Sequence, residues 1–421
     1  MTHKDQQNNY PKRPGRFRQN REGKIGGIGL SLILLFLAGC DLIPEEPPPA
    51  ANSSTAPEES SENSGSTNLR ADNAGTFTVA TWNIQALFDG TEGGTEYDEY
   101  RESAGWTEEK YRARVNSISQ AISQMAANIP DVIALQETEN SQVLEELAKD
   151  AFLSKYGYRW TFFANNPEAS LGIGILSRFP LEETRVHSIT RDTETTPRPV
   201  LEVRILPKNK PIVLFICHWK SKLGGDHETE SLRRASARVI LRRIREIRDD
   251  YKDMPIIVLG DLNENHDEFY RQAGSIICAL LPDDPKAAEL AGFTPDGEEA
   301  DEPQQNLQMD FLILSKKKPP APGYFFPEAS VLYSPWGNEL QDGSYYYKNA
   351  WETIDHFLLT ESLFDNGGWE FDSSWVVKKE PFVNSQGYPN AYNPRTGNGL
   401  SDHLPLMLVL KDVEKTENAD L

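Results

Sequence analysis

Cysteine, basic charge and long apolar runs are all scarce in this sequence. Three cysteines among 421 residues argue against a disulfide framework as the basis of the fold. Acidic side chains outnumber basic ones by 64 to 43, and the formal net charge is −21, which disfavours broad, sequence-independent binding to nucleic acid. Any binding of phosphate must therefore be local. The main apolar run, 25–37, is shorter than the roughly 20 residues of a transmembrane helix.

Several common catalytic and binding motifs are also missing. The chain has no Gly-x-Ser-x-Gly elbow, no Cys/His metal spacing and no glycine-rich phosphate loop before a helix. Serine-esterase chemistry, a zinc site and a P-loop are therefore not indicated. Cys217 and Cys278 lie inside apolar runs, so we interpret them as buried free thiols.

The first segment has the layout of an export signal. Six basic side chains between Lys12 and Lys24 precede the apolar run, an order typical of a secretory signal peptide. Leu37-Ala38-Gly39-Cys40 resembles the lipobox of bacterial lipoproteins, which implies cleavage after residue 39 and lipidation of Cys40. We expect an exported protein anchored through Cys40 at the periplasmic face or the cell surface. An uncleaved signal anchor is the alternative.

The rest of the chain divides by composition. Residues 40–75 are rich in Pro, Ser, Glu, Asn and Thr and cannot bury enough apolar surface to fold, which predicts a disordered tether. Residues 76–412 form the globular body without an evident repeat or internal boundary, and 413–421 are a charged tail. Apolar side chains at three- and four-residue steps predict helices over 111–129 and 232–247. Strands interspersed with these helices favour mixed sheets covered by helices.

One stretch of the body ends an apolar run in two polar side chains. Ile256–Leu259 is followed by Gly260, Asp261, Leu262 and Asn263. Side chains two apart in a strand point to the same side, so Asp261 and Asn263 would project together. A simple turn would explain one such stretch. The pattern recurs, however, in apolar segments that end in or contain a carboxylate, an amide or an imidazole, at Asn83, Glu137, His218, Asp355 and Asp402-His403.

Groups of these types are required for the hydrolysis of a phosphoester. The reaction requires a hard cation bound by oxygen ligands, a base that deprotonates the attacking water, and hydrogen-bond donors around the developing negative charge. Carboxylates with bound water suit Mg²⁺. The recurring residues therefore indicate a metal-assisted phosphoesterase.

The same residues carry a specific resemblance to a known family. The motifs are Trp82-Asn83, Leu135-Gln136-Glu137, His218, Gly260-Asp261-Leu262-Asn263, Ile354-Asp355 and Ser401-Asp402-His403. In this order they resemble the endonuclease/exonuclease/phosphatase superfamily, the deoxyribonuclease I-like fold, over nearly the whole body. The resemblance implies an α+β protein, a four-layer α/β/β/α sandwich of two mixed β sheets flanked by helices, with the active site at one edge.

The resemblance also implies roles for the metal-side residues. Glu137 would be the principal Mg²⁺ ligand, and Mn²⁺ or Ca²⁺ are alternative ions. Asn83 would lie beside it and contact metal or phosphate, and Asp402 would sit near the metal.

Other roles concern acid–base chemistry. By the same resemblance Asp261 would orient or deprotonate the attacking water, and Asn263 would hold a phosphate oxygen. His403 would polarise the phosphate or transfer a proton, with Asp355 fixing its tautomer. His218 would bind or protonate the other side of the phosphate.

A few assignments stay open at this stage. Asp310 lies in a similar apolar setting and rivals Asp355 as the partner of His403, although the segment around Asp355 resembles the family more fully. We interpret His356, where the family often has an aromatic residue, as an ordinary ring in a sheet. Arg198 and Lys220 are candidate phosphate-binding residues, as is the pair Arg233-Arg234.

We therefore expect a Mg²⁺-dependent phosphodiesterase acting outside the cytoplasm, foremost a monomeric nuclease acting on DNA or RNA. The same chemistry on a phospholipid, as in sphingomyelinases, or on an inositol phosphate is one alternative. A non-catalytic surface binding module is the alternative of another class. A membrane-inserting loop would favour the phospholipid, but none is evident, since we interpret the aromatic run Tyr345–Tyr347 as strand core.

Overall fold

The structure is a computed structural model of the chain. It describes residues 75–167, 169–191, 194–195, 198–293, 309–320 and 331–414. The predicted signal peptide, Cys40 and the tether lie outside these residues, as does most of the charged tail, so those assignments stay predictions. Among the described residues, no helix combines the length and apolar character that crossing a membrane requires.

Five α-helices lie among the described residues. They are α1 (Glu108–Ile122), α2 (Ser141–Lys149), α3 (Asp226–Asp250), α4 (Glu268–Arg271) and α5 (Pro285–Leu290). Side-chain oxygens of Thr107, Asn140 and Asp284 accept hydrogen bonds from backbone N–H groups in the first turns of α1, α2 and α5, as expected of N-cap residues.

Eighteen strands are described. They are β1 (Thr76–Leu87), β2 (Val132–Thr138), β3 (Trp160–Ala164), β4 (Gly172–Ser177), β5 (Leu181–His187), β6 (Thr190–Arg191), β7 (Glu194–Thr195), β8 (Val200–Ile205), β9 (Ile212–His218), β10 (Ile256–Asp261), β11 (Leu280–Pro282), β12 (Leu312–Ser315), β13 (Val331–Tyr333), β14 (Tyr345–Tyr347), β15 (Ala350–Glu352), β16 (Asp355–Leu359), β17 (Gly368–Val376) and β18 (Leu406–Val413).

Fourteen of these strands form two mixed sheets. The first has the order β17-β18-β1-β2-β4-β3, and the second has the order β11-β12-β13-β16-β10-β9-β8-β5. In each sheet a central pair is parallel, β1 with β2 and β9 with β10, while their outer neighbours β18, β4, β16 and β8 run antiparallel. The remaining strands form two small hairpins, β6-β7 and β14-β15.

Three apolar clusters separate four layers. Side chains such as Phe77 of β1 and Leu259 of β10 fill the space between the sheets. Ile118 of α1 belongs to a second cluster on the outer side of the first sheet. Ile244 of α3 belongs to a third cluster on the outer side of the second sheet, with Val258 of β10. The predicted four-layer α/β/β/α sandwich is therefore confirmed.

The first predicted helix is shorter than its apolar periodicity indicated. The pattern continues to Ile129, but α1 ends at Ile122. The N–H groups of Gln124 and Met125 bond to carbonyls three residues back, which tightens the chain into turns before Pro130. Met125 and Ile129 are buried all the same, so their spacing reflects packing of a loop rather than of a helix.

Candidate active site

His218, Asp261 and Asp355 lie at paired positions on three adjacent strands of the second sheet, and we call these three residues the rung. β10 pairs with both β9 and β16, and the two registers place Asp261 opposite His218 on one side and Asp355 on the other. All three residues are buried. The Nε2 atom of His218 lies 3.4 Å from Oδ2 of Asp261. Strand pairing thus brings together residues that are far apart in the sequence.

Gly260 allows β9 and β10 to approach closely beside this rung. Its φ is +125°, and a Cβ atom there would lie 2.1 Å from the carbonyl oxygen of Cys217, so only glycine fits. Beyond the strand, Asn263 also has a positive φ of +51°. Its backbone N–H donates to Oδ1 of Asp261 at 2.9 Å, and its amide nitrogen donates to the carbonyl of Trp219 at 3.1 Å. This turn fixes the orientation of the Asp261 carboxylate.

Glu137 leaves the first sheet at a β-bulge. The partners of β2 skip from Gln136 to Thr138 on both neighbouring strands, and Glu137 has a φ of +66°. Such a bulge re-aims one side chain. Oε2 of Glu137 accepts a hydrogen bond from the N–H of Ala86 at 2.9 Å, and the side chain keeps 22% of its surface exposed. The bulge therefore presents a carboxylate to solvent at the rim.

Asn83 links the two sheets at this rim. Its amide nitrogen donates to Oε1 of Glu137 at 3.3 Å and to Oδ2 of Asp261 at 3.0 Å. Its amide oxygen accepts from the N–H of Gln85 at 3.1 Å. As placed here, Asn83 is a hydrogen-bond bridge rather than a metal ligand, and ligation through its oxygen would require the amide group to turn round.

His403 reaches the same point from the last loop before β18. Its Nδ1 atom lies 2.7 Å from Oδ2 of Asp355. The hydroxyl of Ser344 donates to the same carboxylate oxygen at 2.6 Å. Nε2 of His403 lies 4.0 Å from Oδ2 of Asp261. The imidazole is thus held by Asp355 and turned toward Asp261.

The rival partner, Asp310, lies elsewhere. Its carboxylate forms ion pairs with Arg234 at 2.5 Å and Arg238 at 3.4 Å, both on α3. Asp355, not Asp310, therefore contacts His403. The pairing also engages Arg234, a candidate phosphate-binding residue by sequence, in a structural ion pair.

Lys220 and Arg233 do not extend toward the carboxylates. The ammonium of Lys220 donates to the carbonyls of Ser221 and Leu223 in its own loop, each at 3.1 Å. Arg233 is 1% exposed, pairs with Glu264 at 3.0 Å, and donates to the carbonyl of Lys220 at 3.2 Å. Arg233 is therefore a support for this loop and not a phosphate contact, because its guanidinium is enclosed.

Burial and neighbouring charges set the acid–base character of the rung. Burial foremost raises the pKa of Asp261 to about 7, with the charge of Asp355 adding to it and His403 and the amide of Asn83 opposing it. Burial lowers the pKa of His403, but the charge and hydrogen bond of Asp355 outweigh it and raise that pKa to about 10. A base near neutrality and a protonated imidazole therefore lie side by side.

His218 differs from His403 in its charge state. Burial, followed by the positive charges of Arg198 and His403, holds its pKa well below the ordinary value. A neutral imidazole donates or accepts a hydrogen bond but does not serve as an acid. The guanidinium of Arg198 donates to the carbonyl of Trp219 at 2.7 Å, which places it in the loop after His218, as expected for a residue beside the site.

The carboxylates at the rim suit a divalent cation. Burial raises the pKa of Asp402, and the nearby charge of Glu137 raises it further against the opposing effect of His403. Two mutually repelling carboxylates with oxygen donors match the chemistry of Mg²⁺. Asp261, Asp355 and His403 also offer ligand atoms within 4.8 Å of one another. That group is less suited to a cation, because His403 itself is protonated and its Nδ1 is engaged with Asp355.

Two supporting serines were not singled out from the sequence. Ser344 holds Asp355, as described above. The hydroxyl of Ser401 donates to the carbonyl of Asn83 at 2.6 Å and accepts from the N–H of His403 at 3.0 Å. Ser401 lies within a recognised motif, which could have indicated it. Ser344 lies in a turn-rich stretch with no such signal.

A separate cavity lies at the opposite rim of the sandwich. It has a volume of about 460 Å³, and its lining includes Tyr251, Met254 and Trp369. These residues precede β10 or begin β17, whereas the site described above lies where β9 and β10 end. The cavity therefore contains none of the predicted site residues.

Fold and site together define a class of protein, the two-sheet sandwiches of deoxyribonuclease I type with acids and imidazoles at one rim. Residues 78–275 match the model of the endonuclease/exonuclease/phosphatase family. Over those residues, just under half of the chain, the sequence is similar to this family, whose members are generally phosphoesterases or nucleases and typically depend on a divalent metal. The match ends before Asp355, Asp402 and His403, so the structure alone connects those residues to the site.

Similar solved structures include TDP2 of D. rerio in complex with single-stranded DNA product, at 14% identity over 80% of this chain and 99% of that one, with a TM-score of 0.46. A family protein from Leptotrichia buccalis has 12% identity over 80% and 99%, with a TM-score of 0.44. Another from Bacteroides thetaiotaomicron has 14% identity over 80% and 98%, with a TM-score of 0.42. At such values none of them bears on the activity of this chain. No curated protein matches the sequence.

Proposed function

We propose that this protein is a Mg²⁺-dependent phosphodiesterase that acts outside the cytoplasm as a lipid-anchored nuclease. The observation that carries the proposal is the shared rung of His218, Asp261 and Asp355, capped by His403 and faced by Glu137 across the rim. A base, a protonated imidazole and partly exposed carboxylates at one place are what phosphodiester hydrolysis requires.

Each residue at the rim has a different role in the proposed reaction. Asp261 takes the proton of the attacking water, since its pKa is raised to about 7. His403 stabilises the charge that develops on the phosphate or returns a proton to the leaving oxygen, because Asp355 keeps it protonated. Glu137 and Asp402 would hold the divalent cation, which supplies Lewis-acid stabilisation of the phosphate when bound.

The test compares substrates and matched variants of the full-length chain. Plasmid DNA, RNA, sphingomyelin vesicles and inositol phosphates are each incubated with Mg²⁺ or with chelator. We expect cleavage of nucleic acid with Mg²⁺ only, and Asp261→Ala to lower the rate by roughly 10³-fold because it removes the base. Asp310→Asn is the control, since Asp310 has a similar sequence setting but pairs with arginines outside the site.

The alternatives make different predictions in the same experiment. Release of phosphocholine or inorganic phosphate without cleavage of nucleic acid would replace the nuclease by a phospholipase or inositol phosphatase. No product from any substrate, with the variants folded, would favour a binding module. Equal losses in Asp261→Ala and Asp310→Asn would show that the rung does not carry the reaction.

A further inference from the structure

A small aromatic hairpin adjoins the catalytic imidazole. It consists of β14 and β15, in which Tyr345 pairs with Glu352 and Tyr347 pairs with Ala350. The two turn residues, Lys348 and Asn349, both have positive φ values, as in the tight turns that favour hairpins. The aromatic run is a strand, as expected from the sequence. The expectation that it is core is wrong, because Tyr345 and Tyr346 are only partly buried and Tyr347 is 48% exposed.

The base of the hairpin is tied to the catalytic residues. The residue before β14, Ser344, donates to Asp355, and its carbonyl accepts from the N–H of Leu404 at 2.7 Å. Tyr345 also forms an isolated antiparallel bridge with His403. The hairpin therefore has a fixed place relative to the acid–base pair.

The two faces of the hairpin have different environments. Tyr346 and Trp351 share one face and pack on Tyr388, whose ring centroid lies 4.0 Å from that of Tyr346. The ammonium of Lys378 lies 4.5 Å from the Trp351 centroid on the same side. This face anchors the hairpin to the body. Alternate residues of a strand point to opposite sides, so Tyr345 and Tyr347 occupy the other face.

The second face forms a row of rings that begins at the reaction centre. The ring centroids of His403 and Tyr345 are 4.6 Å apart, with an interplanar angle of 32°. Those of Tyr345 and Tyr347 are 6.1 Å apart, with an angle of 23°. The row thus continues outward from the imidazole with similar ring planes and ends at the exposed Tyr347.

We propose that Tyr347 is a specificity-determining residue that stacks on a nucleobase near the scissile phosphate, so that the substrate is a single strand with unpaired bases. The inference rests on the proposed nuclease function and names its substrate class. A base stacked on Tyr347 extends the row of rings, and the strand runs from that base back along the row to a phosphate of a neighbouring nucleotide at His403. Stacking on aromatic rings is tolerant of sequence, because every base has a π-face.

The charges around the hairpin favour a nucleotide over a lipid surface. The ammonium of Lys348 lies over the Tyr347 ring, 5.0 Å from its centroid; a base that stacks on this ring displaces the ammonium to the ring edge, where it can meet a phosphate. The tip, Lys348-Asn349, is polar and exposed, unlike an apolar tip that inserts into a bilayer. Stacking also suits an acidic protein, since it depends less on a broad basic surface than phosphate contacts do.

The experiment measures binding and cleavage separately in the full-length chain. Wild type, Tyr347→Ala and Tyr347→Phe are compared on an oligothymidylate and on the same oligonucleotide with abasic residues. Affinity is measured by fluorescence anisotropy in chelator, and kcat and KM are measured with Mg²⁺. Tyr251→Ala is the matched control, because Tyr251 is also about half exposed, at 52%, but precedes β10 at the opposite rim.

We expect Tyr347→Ala to raise Kd and KM for the oligothymidylate roughly tenfold, with kcat within about twofold of wild type. Tyr347→Phe keeps the ring and should have the Kd and KM of wild type. For the abasic oligonucleotide, Kd and KM should be the same in wild type and in all variants. A merely structural role would instead lower the thermal stability and kcat of Tyr347→Ala.

The outcomes distinguish this inference from the proposed function. Cleavage of nucleic acid with Kd and KM unaffected by Tyr347→Ala overturns the inference and leaves the nuclease standing. Binding that depends on Tyr347, without cleavage by the wild type, supports the inference and overturns the nuclease. Failure to bind or cleave any oligonucleotide overturns both. Loss of binding to sphingomyelin vesicles alone in Tyr347→Ala would make the hairpin a membrane contact and overturn the inference.

Discussion

At the scale of single residues, the site works through charges that neighbours impose on one another. Asp355 and His403 show this most clearly, since Oδ2 of Asp355 contacts the imidazole and also accepts from Ser344. Burial by itself would keep the imidazole neutral, and among the carboxylates that oppose it Asp355 has a larger effect than Asp261 or Asp402. The function of Asp355 is therefore to keep His403 protonated.

Asp355→Asn should lower the pKa of His403 from about 10 toward its ordinary value of 6.5, because burial then meets less opposition. NMR titration of the imidazole in chelator measures this directly. The raised pKa stabilises the fold fully below pH 6.5 and progressively less as the pH rises through about 10. The free energy of unfolding of Asp355→Asn should therefore fall less steeply than that of wild type between pH 6.5 and about 10.

Asp310→Asn serves as the control for this titration. It removes an aspartate of similar sequence setting that does not contact His403, so the pKa of the imidazole should stay near 10. A pKa near 10 in Asp355→Asn as well would mean that another group protonates His403, and the dyad would have to be abandoned.

At the scale of elements, backbone irregularities place the side chains. A regular β2 would leave Glu137 in the ladder, and the bulge turns it out to the rim. Next to the rung, Gly260 lets β10 lie against β9 where a side chain would collide with the carbonyl of Cys217. Departures from ideal strands are thus concentrated where the chemistry is.

Gly260→Ala should lower the free energy of unfolding by about 3 kcal/mol or more, since it combines a disfavoured φ with a backbone clash. Denaturant unfolding in urea measures this. Gly157→Ala is a matched control, because Gly157 also has a positive φ, +80°, but a Cβ there meets nothing within 4 Å. Its cost should be about 1 kcal/mol. Equal losses in the two variants would refute the clash at Gly260.

At the scale of the whole molecule, the two rims of the sandwich have different tasks. One rim gathers the acids, imidazoles and aromatic hairpin. The other holds the start of β1, where the carbonyl of Gly75 accepts from the N–H of Asp412. The proposed anchor residue, Cys40, is separated from Thr76 by the predicted tether, so anchoring and catalysis are expected to be separable.

Cys40→Ser should release the protein from the membrane fraction of a bacterial host and abolish labelling with a radioactive fatty acid, because the thiol is the proposed site of acylation. Its kcat/KM toward a soluble oligonucleotide should stay within about twofold of wild type, since Cys40 precedes the domain that holds the site. Retention in the membrane pellet without the cysteine would refute the lipoprotein assignment and favour an uncleaved signal anchor.

The sequence by itself determined the four-layer fold and most of the residue types that form the site. Short apolar runs predicted the buried strands β2, β9 and β10, because a strand that is buried on both faces has apolar side chains at successive positions. Motif order indicated Glu137, His218, Asp261 and His403. Pattern alone missed the edge strands β5 and β17, because apolar periodicity is weak there; four of the seven residues of β5 are exposed.

Only the tertiary structure decided which residues meet. It shows that Asp355, and not Asp310, contacts His403, and that Arg233 and Arg234 form ion pairs outside the site. It also adds Ser344 and Tyr347 to the residues near the site. The physical reason is that strand register and backbone bulges depend on packing between distant segments, whereas sequence periodicity reports only which face of a single element is buried.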